Sequence, residues 1–128
     1  MRIKKSGINL KDTITSGQMF RYTMEEDESF TIVLKDRVIN VKEVGDYLEV
    51  TSNKEKDLRS VVVKYFDLKR DYEAINKKLS KNDPYMKELI KKNKGYKILR
   101  QDPFEMLVSY IISQNNGVNR ISASLTYL

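Results

Sequence analysis

The sequence predicts an α+β fold, in which an antiparallel β-sheet with flanking helices is followed by the first helices of an all-α segment. Two observations support this prediction. Residues 18–52 are rich in β-branched and aromatic residues and are interrupted by short polar turns, a pattern typical of a β-meander. From about residue 54 onward the apolar residues recur every three to four positions, which is the spacing of amphipathic helices.

The predicted sheet has tight connections between its strands. Strands are expected at residues 30–34, 38–41 and 47–51, with an additional candidate strand at residues 18–22. Gly45 and Asp46 stand between two apolar residues as a two-residue hairpin turn. The segment 47–51 alternates apolar and polar residues, which predicts a strand with one buried face.

The helical part is expected to begin with three short helices. The first has its apolar face at positions 58, 61, 62 and 65, and the second covers residues 72–79. Asp83 and Pro84 are placed to open the third helix as its N-cap and first helical residue. Gly95 is placed to end it.

The fourth predicted helix has the clearest signals. Asp102 and Glu105 form a capping box around Pro103, which fixes the start of the helix. Apolar residues at positions 104, 107, 108, 111 and 112 form a wide stripe, and Gly117 stands in the place of a C′ glycine. A further helix begins near Val118. An uncovered stripe would cause the chain to self-associate.

The composition excludes several kinds of chemistry. The 128 residues include no Cys, His or Trp. Disulfides, thiolate or imidazole metal sites and His-dependent catalytic triads are therefore excluded, and we expect no metal and no cofactor. No apolar run approaches about 20 residues, and the N-terminus lacks the apolar core of a signal peptide. We expect a cytoplasmic protein without a membrane segment.

Positive charge is concentrated in the second half of the chain. The formal net charge is +6, and residues 69–100 alone carry 11 basic and 4 acidic side chains. A basic segment of this kind is typical of proteins that bind a polyanion such as nucleic acid. A lysine-rich solvated face explains the same pattern and is the simpler interpretation of charge alone.

Two segments have residue types that suit contacts with DNA. Residues 16–22 (SGQMFRY) combine the conformational freedom of Gly17 with the phosphate-binding fork of Arg21. Residues 114–117 (QNNG) place consecutive amides at a helix end, and Arg120 follows. Asparagine amides can fill a vacated base position, and arginine can read base acceptors in a bidentate manner. Read separately, each segment is better explained by local structure. The first is a turn that leads into a strand, and the second is a capped helix end with polar loop residues.

Four segments, taken together and in order, carry a resemblance to a known family. They are residues 16–21 (SGQMFR), 65–68 (YFDL), 98–107 (ILRQDPFEML) and 111–116 (IISQNN). This combination resembles the N-terminal portion of the 8-oxoguanine DNA glycosylase family over about residues 8–121. The resemblance implies a TATA-binding-protein-like glycosylase domain at residues 1–82. It also implies the beginning of a helix-hairpin-helix domain at residues 83–128.

The resemblance also implies a function in base-excision repair. Family members flip 8-oxoguanine out of duplex DNA and cleave its glycosidic bond, and β-elimination at the abasic site follows. Gly17 is implied to offer its carbonyl to the N7–H of 8-oxoguanine, a hydrogen that guanine lacks. Asn115 is implied to plug the gap left by the flipped base, with Gln114 and Asn116 beside it in the DNA-binding segment. Arg120 is implied to contact the estranged cytosine.

Three departures from the family pattern qualify these expectations. Gly117 stands where the family often has a third asparagine, and Tyr22 stands where tryptophan is common. The family's catalytic lysine and aspartate come downstream of the Asn-Asn segment, and no residue of this chain matches either one. We therefore assign no catalytic residue, and we expect an incomplete chain that is inactive alone. Family behaviour predicts a monomer, located with the nucleoid of a bacterium or archaeon and partnered by duplex DNA that contains 8-oxoguanine.

Other functions remain open at this point. The chain could be a non-catalytic basic DNA-binding module without lesion specificity, which would bind DNA in a salt-dependent manner. It could also be a protein-interaction or structural domain whose basic face only confers solubility. The related alkyl-purine glycosylase branch is a third alternative, and the Gly17 segment argues against it.

Overall fold

The structure is a computed structural model that describes residues 1–81, 83–114 and 117–127. The elements in chain order are β1 (Arg2–Lys4), α1 (Leu10–Ile14), β2 (Tyr22–Met24), β3 (Phe30–Val33), β4 (Val38–Val44), β5 (Tyr47–Ser52), α2 (Leu58–Tyr65), α3 (Tyr72–Ser80), α4 (Pro84–Lys92), α5 (Pro103–Ser113) and α6 (Val118–Tyr127). The predicted α+β class is confirmed. In the described ranges no helix is both long enough and apolar enough to span a membrane.

The sheet has five antiparallel strands in the order β1-β5-β4-β3-β2. Alternate side chains of the three central strands point into one core, as the period of two requires. These buried residues are Phe30, Ile32, Ile39, Val41, Leu48 and Val50. Leu10 and Ile14 of α1 join the same cluster with Leu58 and Val62 of α2, so both helices belong to the core of the sheet.

The predicted strand at residues 18–22 is wrong in all but its last residue, because β2 begins at Tyr22. Gly17 has φ +92°, and the following residues form a loop that buries Met19. The sequence pattern also missed β1 and α1. Strand β1 is three residues long and is fixed by pairing with β5, whereas α1 is capped by Asn9, which accepts a hydrogen bond from the Asp12 N–H.

The structure confirms the predicted starts of α4 and α5 but moves their ends. Asp83 and Asp102 act as N-caps, and Asp102 accepts from the Glu105 N–H at 3.1 Å. Helix α4 ends at Lys92, three residues before Gly95. Helix α5 ends at Ser113 with Gln114 as its C-cap, so Gly117 is too far along the chain to be its C′ residue.

Most of the apolar stripe of α5 is exposed. Phe104, Leu107 and Ile111 are 72%, 55% and 61% exposed, whereas Val108 and Ile112 are half-buried. Helix α5 packs against α6, in which Ile121 and Leu125 are buried. The expected domain boundary at residue 82 stays a prediction.

Candidate nucleic-acid interface

Gly17 lies on the exposed loop between α1 and β2 in a left-handed conformation, with φ +92°. A Cβ built on this residue would have no heavy atom within 4 Å. The backbone angle, and not a lack of space, therefore favours glycine here. No described residue donates a hydrogen bond to the Gly17 carbonyl, which leaves this acceptor available to a ligand.

The side chain of Gln18 fastens this loop to the connector that leads into α5. Its Nε2 donates to the Lys97 carbonyl at 2.8 Å, and its Oε1 accepts from the Leu99 N–H at 2.9 Å. The Gln101 side chain in turn donates to the Gln18 carbonyl. Because the amide uses both its donor and its acceptor, the residue next to Gly17 has a fixed orientation.

Further contacts hold the two sides of the loop. Thr13 Oγ1 accepts from the Lys97 N–H at 3.3 Å, and the Tyr65 hydroxyl donates to the sulfur of Met19 at 3.6 Å. Burial, aided by the nearby Glu105 carboxylate, raises the pKa of the Tyr65 hydroxyl. Arg21 Nη1 lies 3.3 Å from a Glu105 carboxylate oxygen in the first turn of α5. The predicted phosphate-binding arginine therefore already has an anionic partner, although its side chain remains 39% exposed.

The predicted DNA-contact residues lie at the other end of α5. Gln114 is exposed at its C-cap, and Arg120 is exposed on α6. Asn115 and Asn116 lie outside the described residues. Gln114 follows Glu105 by nine residues, which corresponds to about 14 Å along a helix axis. The Gly17 loop is thus attached at the start of α5, and the amide segment follows its end.

Sequence reasoning missed a polar cluster behind the loop. Asp67, which has φ +52°, accepts from the Tyr72 hydroxyl at 2.8 Å and lies 2.8 Å from Arg70 Nε and 3.4 Å from Arg100 Nε. Lys97 is only 2% exposed, and its ammonium lies 4.4 Å from the centre of the Tyr72 ring. Burial lowers the pKa of the Lys97 ammonium, and the charge of Asp67 opposes this shift. In sequence, Lys97 looked like one more solvated lysine.

The described residues include no group of three or more acidic, histidine or cysteine side chains placed to hold a metal ion. The described residues of this region offer groups that can recognise a ligand: a backbone carbonyl without a described hydrogen-bond donor, amide groups and cations. These groups suit a polar, anionic ligand such as nucleic acid.

Comparison with known proteins identifies the family. The model of the 8-oxoguanine DNA glycosylase N-terminal domain matches residues 1–107. The chain belongs to this family, and the resemblance inferred from its motifs is confirmed.

Similar proteins of known structure have the same fold. The chain is 49% identical to MBOgg1, solved in complex with a low-affinity DNA ligand, with a TM-score of 0.83 over 94% of this chain and 40% of that one. It is 37% identical to the apo-form of the Clostridium acetobutylicum 8-oxoguanine glycosylase/lyase, with a TM-score of 0.82 over 94% of this chain and 41% of that one. Among curated relatives, it is 23% identical to the N-glycosylase/DNA lyase OGG1 of Arabidopsis thaliana, covering 100% of this chain and 36% of the relative. The chain therefore spans well under half the length of these relatives.

Proposed function

We propose that this chain is the lesion-reading part of an 8-oxoguanine DNA N-glycosylase and abasic-site lyase. The observation that carries the proposal is the Gly17 carbonyl, which accepts no hydrogen bond from any described residue and lies on an exposed loop whose next residue is fixed by hydrogen bonds. A preorganised acceptor of this kind can distinguish two ligands that differ in a single N–H donor, because little reorganisation is needed on binding.

The discrimination follows from hydrogen-bond chemistry. The N7 of guanine is an acceptor, whereas 8-oxoguanine carries a hydrogen on N7. The Gly17 carbonyl can accept that hydrogen from 8-oxoguanine but would face an acceptor in guanine. An unmet buried polar group costs about 1–3 kcal/mol, which corresponds to about 5- to 150-fold in affinity.

The segment after α5 has a complementary proposed role. Asn115 would fill the space left by the flipped base, with Gln114 and Asn116 beside it, and Arg120 would contact the cytosine left behind. The exposure of Gln114 and Arg120 is compatible with this role. The Clostridium acetobutylicum relative has been solved with double-stranded DNA that contains cytosine opposite 8-oxoguanine.

We infer that these 128 residues do not perform the glycosidic cleavage by themselves, because none of their lysines matches the nucleophile of the family. Borohydride trapping on a duplex with 8-oxoguanine opposite cytosine tests this inference. The chain should give no covalent band under conditions in which a longer active relative does. A covalent band that forms on the 8-oxoguanine duplex and not on an undamaged duplex would instead show that a lysine of this chain forms a Schiff base.

The lesion-reading function is tested by equilibrium binding of the 128-residue chain to two duplexes. One duplex contains 8-oxoguanine opposite a cytosine, and the other contains guanine at the same position. The affinities are measured at several salt concentrations. We expect tighter binding to the 8-oxoguanine duplex by at least about fivefold at each salt concentration. Equal, salt-dependent affinities would instead identify a basic DNA-binding module without lesion specificity. No binding at low salt would identify an interaction or structural domain.

A further inference from the structure

The helices α3 and α4 pack on each other and form, with their flanking residues, a unit that we call the lysine hairpin (residues 71–97). It contains eight lysines and four carboxylates. Two of these carboxylates are N-caps, since Asp71 accepts from the Ala74 N–H and Asp83 accepts from the Tyr85 N–H. The positive charge of the lysine hairpin is therefore far from balanced by its own acidic groups.

The ammonium of Lys97 lies over the Tyr72 ring, but the other seven lysines of this unit have no side-chain partner among the described residues. Within the described ranges, none of the eight lies within ion-pair distance of a carboxylate. Four lysines outside the lysine hairpin do form ion pairs, and these are Lys5, Lys35, Lys42 and Lys54. Lys87 and Lys91 stand four residues apart on α4, a like-charge spacing that weakens an isolated helix. Glu73 and Glu88 stand four residues before Lys77 and Lys92, which is a favourable spacing, but the lysine hairpin still has four more lysines than carboxylates. A bound anion would neutralise this excess.

This charge surrounds an open cleft of about 950 Å³ between the two helices and the start of the α5 connector. Its cationic lining residues are Arg70, Lys77, Lys87, Lys91, Lys94 and Lys97, whereas Asp71 and Glu73 are its acidic ones. A second cleft shares Lys77, Ser80 and Lys87 and adds Lys78 and Lys81. The two clefts therefore form one continuous basic surface along the lysine hairpin.

We propose that the lysine hairpin binds the phosphate backbone of duplex DNA, as a second contact separate from the lesion-reading loop. The identity of the polyanion rests on the proposed function. The nine residues of α3 extend about 13 Å, which is comparable to the rise of about four base pairs along the axis of a DNA duplex. Lysine acts as a point charge, which suits positioning on phosphates and carries no base readout. The contact is therefore independent of the lesion.

Matched charge-reversal variants of the 128-residue chain test this proposal. The hairpin variant carries Lys77→Glu, Lys87→Glu and Lys91→Glu. The control variant carries Lys4→Glu, Lys56→Glu and Lys64→Glu, exposed lysines without described ion pairs. Both variants change the formal net charge from +6 to zero. Because α3 and α4 contain no buried residue, we expect the hairpin variant to remain folded. Circular dichroism checks that the variant is folded. Variants with Gln at the same sites remove the charges without reversing them and provide a milder test.

The readout is binding to an undamaged duplex as a function of salt. The hairpin variant should lose about tenfold or more in affinity at about 0.1 M salt. The negative slope of the log of the association constant against log salt should become shallower by about 3. The control variant should lose less than about threefold. Equal losses in the two variants would overturn the proposal, because net charge alone would then explain binding.

Free polyphosphate is the other source of phosphate groups, and calorimetry with tripolyphosphate separates it from DNA. A hairpin variant that loses tripolyphosphate binding but keeps duplex binding would also overturn the proposal. The ratio of affinities for 8-oxoguanine and guanine duplexes should be the same in the hairpin variant and the unmodified chain. If the unmodified chain binds the 8-oxoguanine and guanine duplexes with equal affinity, the proposed lesion reading is wrong. The affinities of the hairpin and control variants for the undamaged duplex still decide the role of the lysine hairpin in that case.

Discussion

The side-chain oxygen of Gln18 accepts a hydrogen bond from the backbone N–H of Leu99 at 2.9 Å. Leu99 is 81 residues further along the chain and is buried in the same hydrophobic cluster as the sheet. This bond, with the donation from Gln18 to the Lys97 carbonyl, fixes the loop that contains Gly17 to the connector before α5. The orientation of the candidate lesion-reading carbonyl therefore depends on contacts formed only in the folded chain.

Replacement of Gln18 by alanine should lower the free energy of unfolding by about 1–3 kcal/mol, because the Lys97 carbonyl and the Leu99 N–H would lose their partners. Urea denaturation measures this change. Gln114→Ala is the matched control, since Gln114 is exposed, and it should change stability by less than about 0.5 kcal/mol. Equal effects of the two substitutions would show that the Gln18 contacts do not hold the loop.

Replacement of Asp67 by asparagine should disrupt the polar cluster behind the loop. It removes the charge that faces Arg70 and Arg100, with an expected stability loss of about 1–3 kcal/mol. It should also lower the pKa of Lys97 further, because burial already lowers it and the charge of Asp67 opposes that shift. NMR titration of the lysine Cε resonances measures this pKa.

Asp57→Asn is the matched control for the Asp67 substitution. Asp57 also has a left-handed backbone, with φ +55°, but it is exposed and makes no side-chain capping bond. The control should leave both the stability and the Lys97 pKa nearly unchanged. An unchanged Lys97 pKa in Asp67→Asn would contradict the electrostatic coupling.

The pair of Asp36 and Arg37 should make stability depend on pH. Hydrogen bonds from Arg37 and Lys54 hold the pKa of the Asp36 carboxyl well below its ordinary value of 3.8. A carboxyl whose pKa is depressed on folding stabilises the protein above its unfolded pKa, and this contribution is lost as the pH falls below it. The stability difference between the unmodified chain and Asp36→Asn should be constant above about pH 5 and should narrow below pH 3.8.

Urea denaturation between pH 6 and 3 measures that narrowing. Asp46→Asn, in the exposed turn between β4 and β5, is the control for the loss of one surface carboxylate. A difference for Asp36→Asn that stays constant down to pH 3 would contradict the role assigned to the ion pair.

The uncovered stripe of α5 should cause concentration-dependent self-association. Phe104 and Ile111 are 72% and 61% exposed on a helix with no buried residue. Large exposed apolar patches are uncommon on monomers and favour association. Sedimentation velocity should show that Phe104→Ser with Ile111→Ser shifts the chain toward monomer. Tyr85→Ser, at a residue 68% exposed on α4, should not. A clean monomer for the unmodified chain at all concentrations would contradict this prediction.

Local signals in the sequence were sufficient for some elements of the fold. The strands β3 to β5 carry their own alternation, and the cap of α5 depends on Asp102 and a residue three positions away. The hydrogen bonds of the Gln18 side chain could not be predicted from local sequence, because their partners are about 80 residues distant. The burial of Lys97 beneath Tyr72 was equally invisible, since a lysine next to apolar residues is ordinarily solvated.

The site was predicted only in part for a related reason. Gly17 was singled out by motif resemblance, and the structure adds its left-handed conformation and a carbonyl to which no described residue donates a hydrogen bond. The ion pair between Arg21 and Glu105 was not foreseen, although both residues lie in quoted motifs. Spatial proximity between segments about 80 residues apart requires the tertiary fold.

The measurement that tests the central claim most directly is the lesion preference of Gly17→Ala compared with Gly45→Ala. Both glycines have positive φ with open space around them, so each alanine should cost about 1–2 kcal/mol of stability through backbone strain. Only Gly17→Ala should displace the carbonyl proposed to read the lesion. Competition binding with 8-oxoguanine and guanine duplexes should therefore show that Gly17→Ala loses most of the preference for 8-oxoguanine, while Gly45→Ala keeps it. Retention of the full preference by Gly17→Ala, or an equal loss in both variants, would contradict the assignment of Gly17 as the lesion reader.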